Sequence, residues 1–193
     1  MADQQVPGSR VDHLLVDRDG VLNREEPGRL VHRPEDWHWE PGARRAMELL
    51  AQRQTAVSVV TNQSAVARGE LDKQDLRALH EWLTSELEHW GVAVVGVFSC
   101  LHDRDAGCHC RKPAPGLLLD AITASGIAPE HTALVGDDLR DLDAAEAAGV
   151  RSVLVRTGKG AASELKATRR ITVTDDLHTA VRLLRTCEHL MEV

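Results

Sequence analysis

A three-layer, doubly wound α/β fold with a mostly parallel sheet is predicted for this chain by two patterns. Short apolar runs alternate along the sequence with longer segments that have helical periodicity. The runs are continuously apolar rather than alternating, which indicates strands covered on both faces, as in parallel sheets. Repeated units of strand and helix require crossover connections, and these place helices on both faces of the sheet.

The predicted strands are short apolar segments separated by polar turns. In chain order they are residues 14–16, 57–60, 92–98, 132–135, 152–155 and 171–173. The predicted helices lie between and after them. The longest runs from about 72 to 90, with leucines at spacings of three and four and Gly91 at its end, where glycine suits a helix terminus. Others are expected from Pro41-Gly42, from Pro115, over 141–148 and over about 175–188.

The length of the chain favours a single domain. Its 193 residues, 42% of them hydrophobic, suffice for one well-packed core. We expect one domain over residues 1–193, with its motifs in a core of about 11–160 and a terminal strand and helix at about 170–188. None of the insertions between predicted elements is long enough for a large cap domain.

Charge and composition exclude several classes of partner. The net charge of -7 and the pI near 5.8 argue against a nucleic-acid partner, which requires a basic surface. No apolar run approaches the roughly 18 residues of a membrane span, so no membrane partner is expected. Residues 1–10 are polar and lack the apolar centre of a signal peptide. A cytoplasmic monomer with a small-molecule substrate is the expectation.

The most informative segment is Asp17-Arg18-Asp19-Gly20, directly after the first predicted strand. Open α/β sheets bind ligands beyond the carboxyl ends of their strands, so Asp17 and Asp19 are expected at such a site. Gly20 allows a tight turn there. The pair by itself is weak evidence for a catalytic site, because an acidic loop or a helix cap explains most such pairs.

Three later strand ends carry further polar groups. Thr61 ends the second strand, Lys112 stands in a proline-flanked loop before a helix, and Asp137-Asp138 follows the strand at 132–135, with Asp141 beyond. Taken singly, each has an ordinary alternative: a turn, a solvated basic pair, and acids that cap the next helix, which is the expected role of Asp141. In a parallel sheet, however, all of them converge on one edge.

The ordered set Asp-x-Asp, Thr, Lys and Asp resembles the haloacid dehalogenase superfamily of phosphohydrolases, over roughly residues 11–160. The resemblance implies a phosphatase in which Asp17 is the nucleophile and Asp19 the general acid and base. Thr61 and Lys112 would stabilise the transferred phosphoryl group. It also implies Mg²⁺ bound by Asp17, Asp19 through its backbone carbonyl, and Asp137, with Asp138 as a possible further ligand.

A second metal site is predicted next to Lys112. The pattern C-x-H-x5-C-x-C is formed by Cys100, His102, Cys108 and Cys110. In a reducing compartment such clustering indicates zinc rather than disulfides, and four N/S ligands make the site structural. His109 in place of His102, or free buried thiols, are the alternatives. Zinc here would fix the loop that aims Lys112.

This zinc motif resembles the branch of the superfamily that contains heptose bisphosphate phosphatases and histidinol-phosphate phosphatases. Asn23 and the segments 61–69, 112–116 and 156–159 favour the heptose enzymes, which would make the substrate a sugar bisphosphate that loses its 7-phosphate. The short loop between His102 and Cys108 is closer to the histidinol-phosphate type, which stays the alternative. Ala65 stands where Gly is usual, and Asp138 where Lys is common. By resemblance, the substrate pocket contains Arg18, Glu25, Glu26, Pro27, Gly28, Asn62, Gln63, Ser64 and Arg111, with Arg111 placed to bind the distal phosphate.

Two further functions have less support. A DNA 3′-phosphatase would share the Thr-Asn-Gln motif, but the acidic charge of the chain disfavours binding to DNA. A non-catalytic phosphate-binding or scaffold protein would not need all four motif residues, and all four are intact.

Overall fold

The computed structural model describes residues 10–26 and 28–189, with side chains as far as Arg185. Its strands form one sheet in the order β3-β2-β1-β4-β5-β6, in which every pairing is parallel. The strands are β1 (His13–Val16), β2 (Ala56–Asn62), β3 (Ala93–Cys100), β4 (Thr132–Gly136), β5 (Arg151–Val155) and β6 (Val173–Thr174). The order reverses between β1 and β4, which is the place where doubly wound sheets open a ligand crevice.

Helices cover both faces of this sheet, so the predicted fold class is confirmed. The α-helices are α1 (Ala43–Ala51), α2 (Lys73–His89), α3 (Gly116–Ser125), α4 (Leu139–Ala147), α5 (Gly160–Lys166) and α6 (Leu177–His189). Short 3-10 helices span Pro34–Asp36 and Pro129–His131. Within the part of the chain that is described, no helix has the length and apolarity to cross a membrane.

Several boundaries differ from the sequence prediction by one or two residues, and one helix is new. Helix α4 begins before residue 141, because Asp138 rather than Asp141 is its N-cap. Helix α5 was not predicted: only Gly160 and Ser163 of it are buried, so it has no apolar stripe to reveal its period. Strand β6 lies at Val173–Thr174 instead of 171–173.

The core is divided by the sheet into two layers, and β1 shows how. Leu14 and Val16 point to one face and pack in the layer that holds α1, α2 and α6. Leu15 points to the other face, in the layer with α3 and α4. All three are essentially inaccessible. The central strand is thus covered on both sides, which fits its uninterrupted apolar sequence and positions the following Asp17 firmly.

A cluster of tryptophans holds the connection between β1 and α1 against α2. Trp37 packs edge-on against Trp82 at 5.4 Å between ring centroids, and Trp39 lies 4.6 Å from Trp90. Trp82 of α2 and Trp90, the residue that ends this helix, thus serve packing. The segment that leads away from the Asp17 turn is therefore anchored at its far end.

A buried histidine lies at the opposite end of β1 from the aspartates. His13 bonds through Nε2 to Ser58 Oγ at 2.8 Å and through Nδ1 to Ser125 Oγ at 3.1 Å. Burial lowers the pKa of His13 to about 4 from an ordinary value of 6.5. Because the folded state then binds fewer protons than the unfolded chain, stability is full above pH 6.5 and declines as the pH falls towards 4.

We therefore expect His13 to reduce the free energy of unfolding by about 3 kcal/mol between pH 6.5 and pH 4. Urea unfolding of the wild type and of His13→Gln, measured in parallel from pH 7.5 to pH 4, checks this. The difference between the two curves isolates His13 from the carboxylates, which titrate in both proteins. A difference that does not change with pH would contradict the assignment.

Candidate active site

The two aspartates lie where β1 ends, at the switch point of the sheet. The amide of Asp17 bonds to the carbonyl of Val135 at 3.0 Å, so the backbone stays tied to β4 as far as this residue. Its carboxylate is buried and accepts hydrogen bonds from the Arg18 amide at 2.7 Å and from Lys112 Nζ at 3.0 Å. Asp17 is thereby held at the floor of a cleft.

Lys112 is a buried cation bound on three sides. Its Nζ lies 2.6 Å from Asp141 Oδ1, 3.0 Å from Asp17 Oδ1 and 2.8 Å from the carbonyl of Val60. Burial lowers the pKa of Lys112, but the charges of Asp141 and Asp17 raise it by more, so the net shift is upward. The ammonium therefore stays charged beside Asp17.

Asn62 fixes the backbone that carries this lysine. Its Nδ2 donates to the Lys112 carbonyl at 3.0 Å, and its Oδ1 accepts from the Lys112 amide at 3.1 Å. Both polar atoms of the amide are used in this way. The sequence resemblance implied a substrate-binding Asn62; the structure places it as a clamp between the end of β2 and the Lys112 loop.

The carboxylate of Asp19 is surrounded by donors. Oδ1 accepts from Arg18 Nε at 3.1 Å, Arg18 Nη2 at 2.9 Å and Asn23 Nδ2 at 3.1 Å, and Oδ2 accepts from Gln63 Nε2 at 2.7 Å. Burial raises the pKa of Asp19, but the Arg18 charge and these hydrogen bonds lower it more, so the net shift is downward. Arg18 and Gln63, implied as substrate-binding, thus both contact Asp19.

Thr61 is joined to Asp19 through the same Gln63 amide. Gln63 Nε2 donates to Thr61 Oγ1 at 2.8 Å, in addition to its bond with Asp19. Since the Thr61 oxygen accepts this bond, the hydroxyl proton can be donated elsewhere. The hydroxyl is almost fully buried at the end of β2.

Three carboxylates meet at the floor of the cleft. Ligand oxygens of Asp17, Asp137 and Asp141 lie within 4.8 Å of one another. Burial raises the pKa of Asp17 to about 7; the charge of Lys112 opposes this shift, and repulsion from Asp141 and Asp19 adds to it. Burial, with repulsion from Asp17 and Asp141, raises the pKa of Asp137 to about 8, and Lys159 opposes that shift. Buried hard oxygen donors short of positive charge are what a divalent cation such as Mg²⁺ requires, so the residues fit this ion.

Asp138 does not belong to this cluster, contrary to its possible role as a ligand. Its carboxylate caps α4 by accepting from the Arg140 amide at 3.0 Å, and it forms an ion pair with the Arg140 guanidinium at 2.6 Å. Burial raises the pKa of Asp138, but Arg140 lowers it to about 2. Asp141 completes the capping box through Oδ2, as the sequence indicated, and its other oxygen binds Lys112.

Two glycines enclose Asp137. Gly20 has φ +84, and a Cβ there would lie 2.1 Å from Asp137 Oδ2. Gly158, with φ +54, would make the same clash. The Lys159 amide also donates to this oxygen at 2.7 Å. The carboxylate is therefore fixed by backbone that only glycine allows to approach so closely.

The predicted zinc ligands come together beside this cleft. Ligand atoms of Cys100, His102, Cys108 and Cys110 lie within 4.8 Å of one another, with sulfur to sulfur distances of 3.3 to 3.7 Å. These separations are too long for a disulfide. They are close to the edge of about 3.8 Å that a zinc tetrahedron with 2.3 Å bonds requires. His102, not His109, completes the cluster.

The cleft above these groups has a basic rim. Its volume is about 190 Å³, and it is lined in part by Arg24, Arg29, Arg68, Arg104, Arg111, Arg140 and Lys159. Glu25 also lines it and pairs with Lys159 Nζ at 2.5 Å. Such a rim suits a substrate that carries more than one anionic group.

The remaining substrate-binding expectations divide into two groups. Ser64 and Arg111 line the cleft; Ser64 Oγ accepts from Arg68 at 2.8 Å, and Arg111 donates to the His102 carbonyl at 3.4 Å. Glu26 instead forms an exposed ion pair with Arg29, and neither it nor Gly28 is among the residues that line the cleft. Pro27 lies outside the described residues.

Sequence reasoning did not assign roles to Asn23, Arg140, Asp141 and Lys159 in the site, although the structure brings all four to it. A signal existed for three of them. Asn23 and Lys159 belong to segments singled out for their resemblance, and Asp141 follows the β4 strand end by five residues. The sequence predicts only the helix-capping role of Asp141, because it does not show that one carboxylate can bind two partners.

A parallel α/β sheet that gathers buried carboxylates, a hydroxyl and a buried lysine at its switch point defines a hydrolase site for phosphate esters. A family model described as HAD-hydrolase-like matches residues 109–180. A D-glycero-beta-D-manno-heptose-1,7-bisphosphate 7-phosphatase of Bordetella bronchiseptica is 40% identical over 147 residues, which cover 76% of this chain and 82% of that protein. A D-glycero-alpha-D-manno-heptose-1,7-bisphosphate 7-phosphatase of Mycobacterium bovis is 39% identical over 133 residues, 68% and 70% of the two chains.

A solved structure agrees with these relatives. The crystal structure of the D,D-heptose 1,7-bisphosphate phosphatase from B. bronchiseptica, complexed with magnesium and phosphate, matches with a TM-score of 0.82 at 34% identity. The match covers 91% of this chain and 99% of that one. The chain therefore belongs to the HAD-like phosphatases, and within them to the family whose named members are heptose-1,7-bisphosphate 7-phosphatases. It is a phosphoric monoester hydrolase.

Proposed function

We propose that this enzyme removes the 7-phosphate of D-glycero-D-manno-heptose 1,7-bisphosphate, with Mg²⁺ as catalytic cofactor. The observation that carries the proposal is the cleft. Asp17, paired with Lys112, and Asp19, hydrogen-bonded to surrounding donors, both line it, together with several arginines. The names of the relatives supply the sugar, and the rim supports a second phosphate on the substrate.

In the first step Asp17 acts as the nucleophile. A carboxylate oxygen of Asp17 attacks phosphorus and forms an aspartyl-phosphate, while the bond to the sugar oxygen breaks. The leaving oxygen takes a proton from Asp19, which enters this step in its protonated form, although the donors around it lower its pKa. Lys112, held against Asp17 at 3.0 Å, and Thr61 stabilise the negative charge of the phosphoryl oxygens.

In the second step Asp19 reverses its role. Ionised after the first step, it takes a proton from a water molecule that attacks the phosphorus of the aspartyl-phosphate. The bond between phosphorus and the Asp17 oxygen breaks, and inorganic phosphate leaves. The donors around Asp19, from Asn23, Gln63 and Arg18, hold the carboxylate in place for both transfers and favour the ionised form needed here.

The carboxylates of Asp17 and Asp137 and the backbone carbonyl of Asp19 would hold Mg²⁺, with Asp141 adjoining. When bound, the ion would supply the positive charge that offsets the repulsion between a carboxylate and a phosphate dianion. One of the proposed ligands, the Asp137 carboxylate, is fixed by Gly20, Gly158 and the Lys159 amide.

The cluster of Cys100, His102, Cys108 and Cys110 is proposed to bind a structural zinc ion. Four N/S donors fill a tetrahedral site completely, so no position is left for a substrate. Arg111 and Lys112 follow Cys110 directly, which links the metal to the cleft. Arg111 is proposed to bind the distal phosphate, because it lines the cleft and its guanidinium can bind phosphate through two hydrogen bonds.

We also propose that the chain is a single domain over 1–193, works as a monomer and resides in the cytoplasm. One sheet and its two core layers include elements from β1 to α6, which supports a single domain. Thiols that bind zinc have to stay reduced, and this supports a cytoplasmic location.

A substrate comparison tests the function. With Mg²⁺ present, we expect the highest kcat/KM on one anomer of heptose 1,7-bisphosphate, and a value at least about tenfold lower on histidinol phosphate. Phosphate release from both anomers and from histidinol phosphate, measured side by side, gives the ratios. Faster turnover of histidinol phosphate would overturn the assignment. The curated relatives include enzymes named for each anomer, so both have to be assayed.

A further inference from the structure

The side chain of Arg18 is buried although it stands between the two aspartates of the turn. Only 3% of it is exposed. Two of its nitrogens, Nε and Nη2, bond to Asp19 Oδ1, and the third, Nη1, lies 3.2 Å from His80 Nε2. The guanidinium is thus held between Asp19 and a histidine of α2.

The direction of the bond between Arg18 and His80 follows from its chemistry. A guanidinium has no acceptor, so Arg18 donates and the Nε2 of His80 accepts. The imidazole is therefore neutral, with its proton on Nδ1. Burial, followed by the charge of Arg18, lowers the pKa of His80 to about 3, which agrees with the neutral form.

The histidine itself is held by a rigid element. Leu79, next to it in sequence, and Leu83, one turn later, are fully buried in the core layer of α2. Helix α2 is capped by Asp72, whose side chain accepts from the Gln74 amide. Nε2 of His80 is therefore a fixed acceptor, supplied by an element outside the Asp17 turn.

We propose that His80 is a positioning residue that acts through Arg18 to fix the Asp19 carboxylate for proton transfer. The inference rests on the proposed function, in which Asp19 is the acid and base. His80 gives Nη1 a partner inside the protein and so fixes the plane of the guanidinium. That plane determines where Nε and Nη2, the two donors to Asp19 Oδ1, are directed.

Loss of the acceptor has a defined consequence. A buried N–H without a partner is costly, so the guanidinium would rotate to recover a hydrogen bond. Asp19 would keep its bonds from Asn23 and Gln63 but lose its geometry with Arg18. Proton transfer depends steeply on such geometry, whereas binding of substrate phosphate by other residues does not.

We expect His80→Leu to lower kcat on an aryl phosphate by about tenfold, with KM changed by less than about twofold. His80→Gln keeps an acceptor on its side-chain amide, and its kcat is expected within about threefold of wild type. His89→Leu, an exposed histidine on the same helix, is the matched control and should match wild type. Equal losses in His80→Gln and His80→Leu, or none in His80→Leu, would overturn the proposal.

A double-mutant cycle separates positioning from general damage. Arg18→Lys removes Nη1, so adding His80→Leu to it should change kcat by less than about twofold. If the two losses multiply instead, His80 does not act through Arg18. Thermal unfolding of each variant shows that the compared proteins are folded.

Failure of the function and failure of this inference give different results. Wild-type protein inert towards every phosphate monoester refutes the proposed function. Nitrogen NMR of His80 then still tests whether Arg18 donates to Nε2. This nitrogen is expected to be unprotonated in wild type, and its chemical shift is expected to change in Arg18→Lys. A protonated Nε2 at neutral pH would overturn the inference even in an active enzyme.

Discussion

Asp17→Asn is expected to lower kcat by at least about 10⁴-fold, which corresponds to about 5 kcal/mol of transition-state stabilisation. An amide of the same shape cannot attack phosphorus. Among the described residues, the other carboxylate paired with Lys112 Nζ is that of Asp141, which approaches the lysine from helix α4. The remaining groups would still bind substrate, so KM should change far less than kcat.

The same variant should stay folded, and the sign of its stability change can be stated. Burial and the neighbouring carboxylates of Asp141 and Asp19 raise the pKa of Asp17 to about 7, so the folded state without metal favours the neutral side chain. Asn is neutral at every pH. Above pH 7, metal-free Asp17→Asn is therefore expected to be at least as stable as metal-free wild type.

Aryl phosphate hydrolysis with Mg²⁺ measures kcat, and urea unfolding in chelator measures stability. Asp120→Asn is the matched control, because Asp120 is an exposed carboxylate on α3 and its replacement should leave kcat unchanged. Activity of Asp17→Asn within tenfold of wild type would show that another group is the nucleophile.

Loss of the metal in the Cys/His cluster is the second large effect. We expect about one zinc ion per chain in wild type and essentially none in Cys108→Ser, since hydroxyl oxygen is a poor substitute for a thiolate ligand. Because structural zinc contributes directly to folding, the free energy of unfolding should fall by on the order of 3 kcal/mol. For a chain of this size that lowers Tm by roughly 10 °C.

The activity should fall as well, by about 10- to 100-fold, because Cys110 is two residues from Lys112. The loss is limited by Asn62, which holds the Lys112 backbone with two hydrogen bonds from β2. Metal analysis, Tm and kcat on wild type and Cys108→Ser give all three quantities. His109→Ala, in the same loop but outside the cluster, should retain the zinc. Protein purified without chelators that contains no zinc would refute this site.

The fold could be predicted largely because its central strands are covered on both faces. Such strands need continuous apolar runs, and β1, β2, β4 and β5 have them. Helix α5 is not predicted, since only Gly160 and Ser163 of its seven residues are buried and Leu165 is 89% exposed. A surface helix without an apolar stripe leaves no periodic signal in the sequence.

The position of the candidate site was predictable for a related reason. Parallel strands bring their carboxyl ends to one edge, so Asp17, Thr61 and Asp137 had to meet once the sheet was predicted. The cysteine cluster was predictable because its ligands are close in sequence, within residues 100–110. In both cases a local sequence pattern, a strand followed by a polar residue or a set of closely spaced ligands, is enough to predict which groups come together.

The sequence is enough to predict which chemical groups lie at the edge of the sheet and which phosphatase family the chain resembles. What each of these groups contacts is visible only in the folded structure. Asn62 clamps the backbone of Lys112, Arg18 turns inward to His80, and Asp141 rather than Asp138 joins the buried carboxylates. A buried polar group has to form hydrogen bonds with whichever groups lie close to it after folding, because leaving it without a partner is costly. The partners in the first two pairs are 50 and 62 positions apart in the sequence. No local pattern records those pairings.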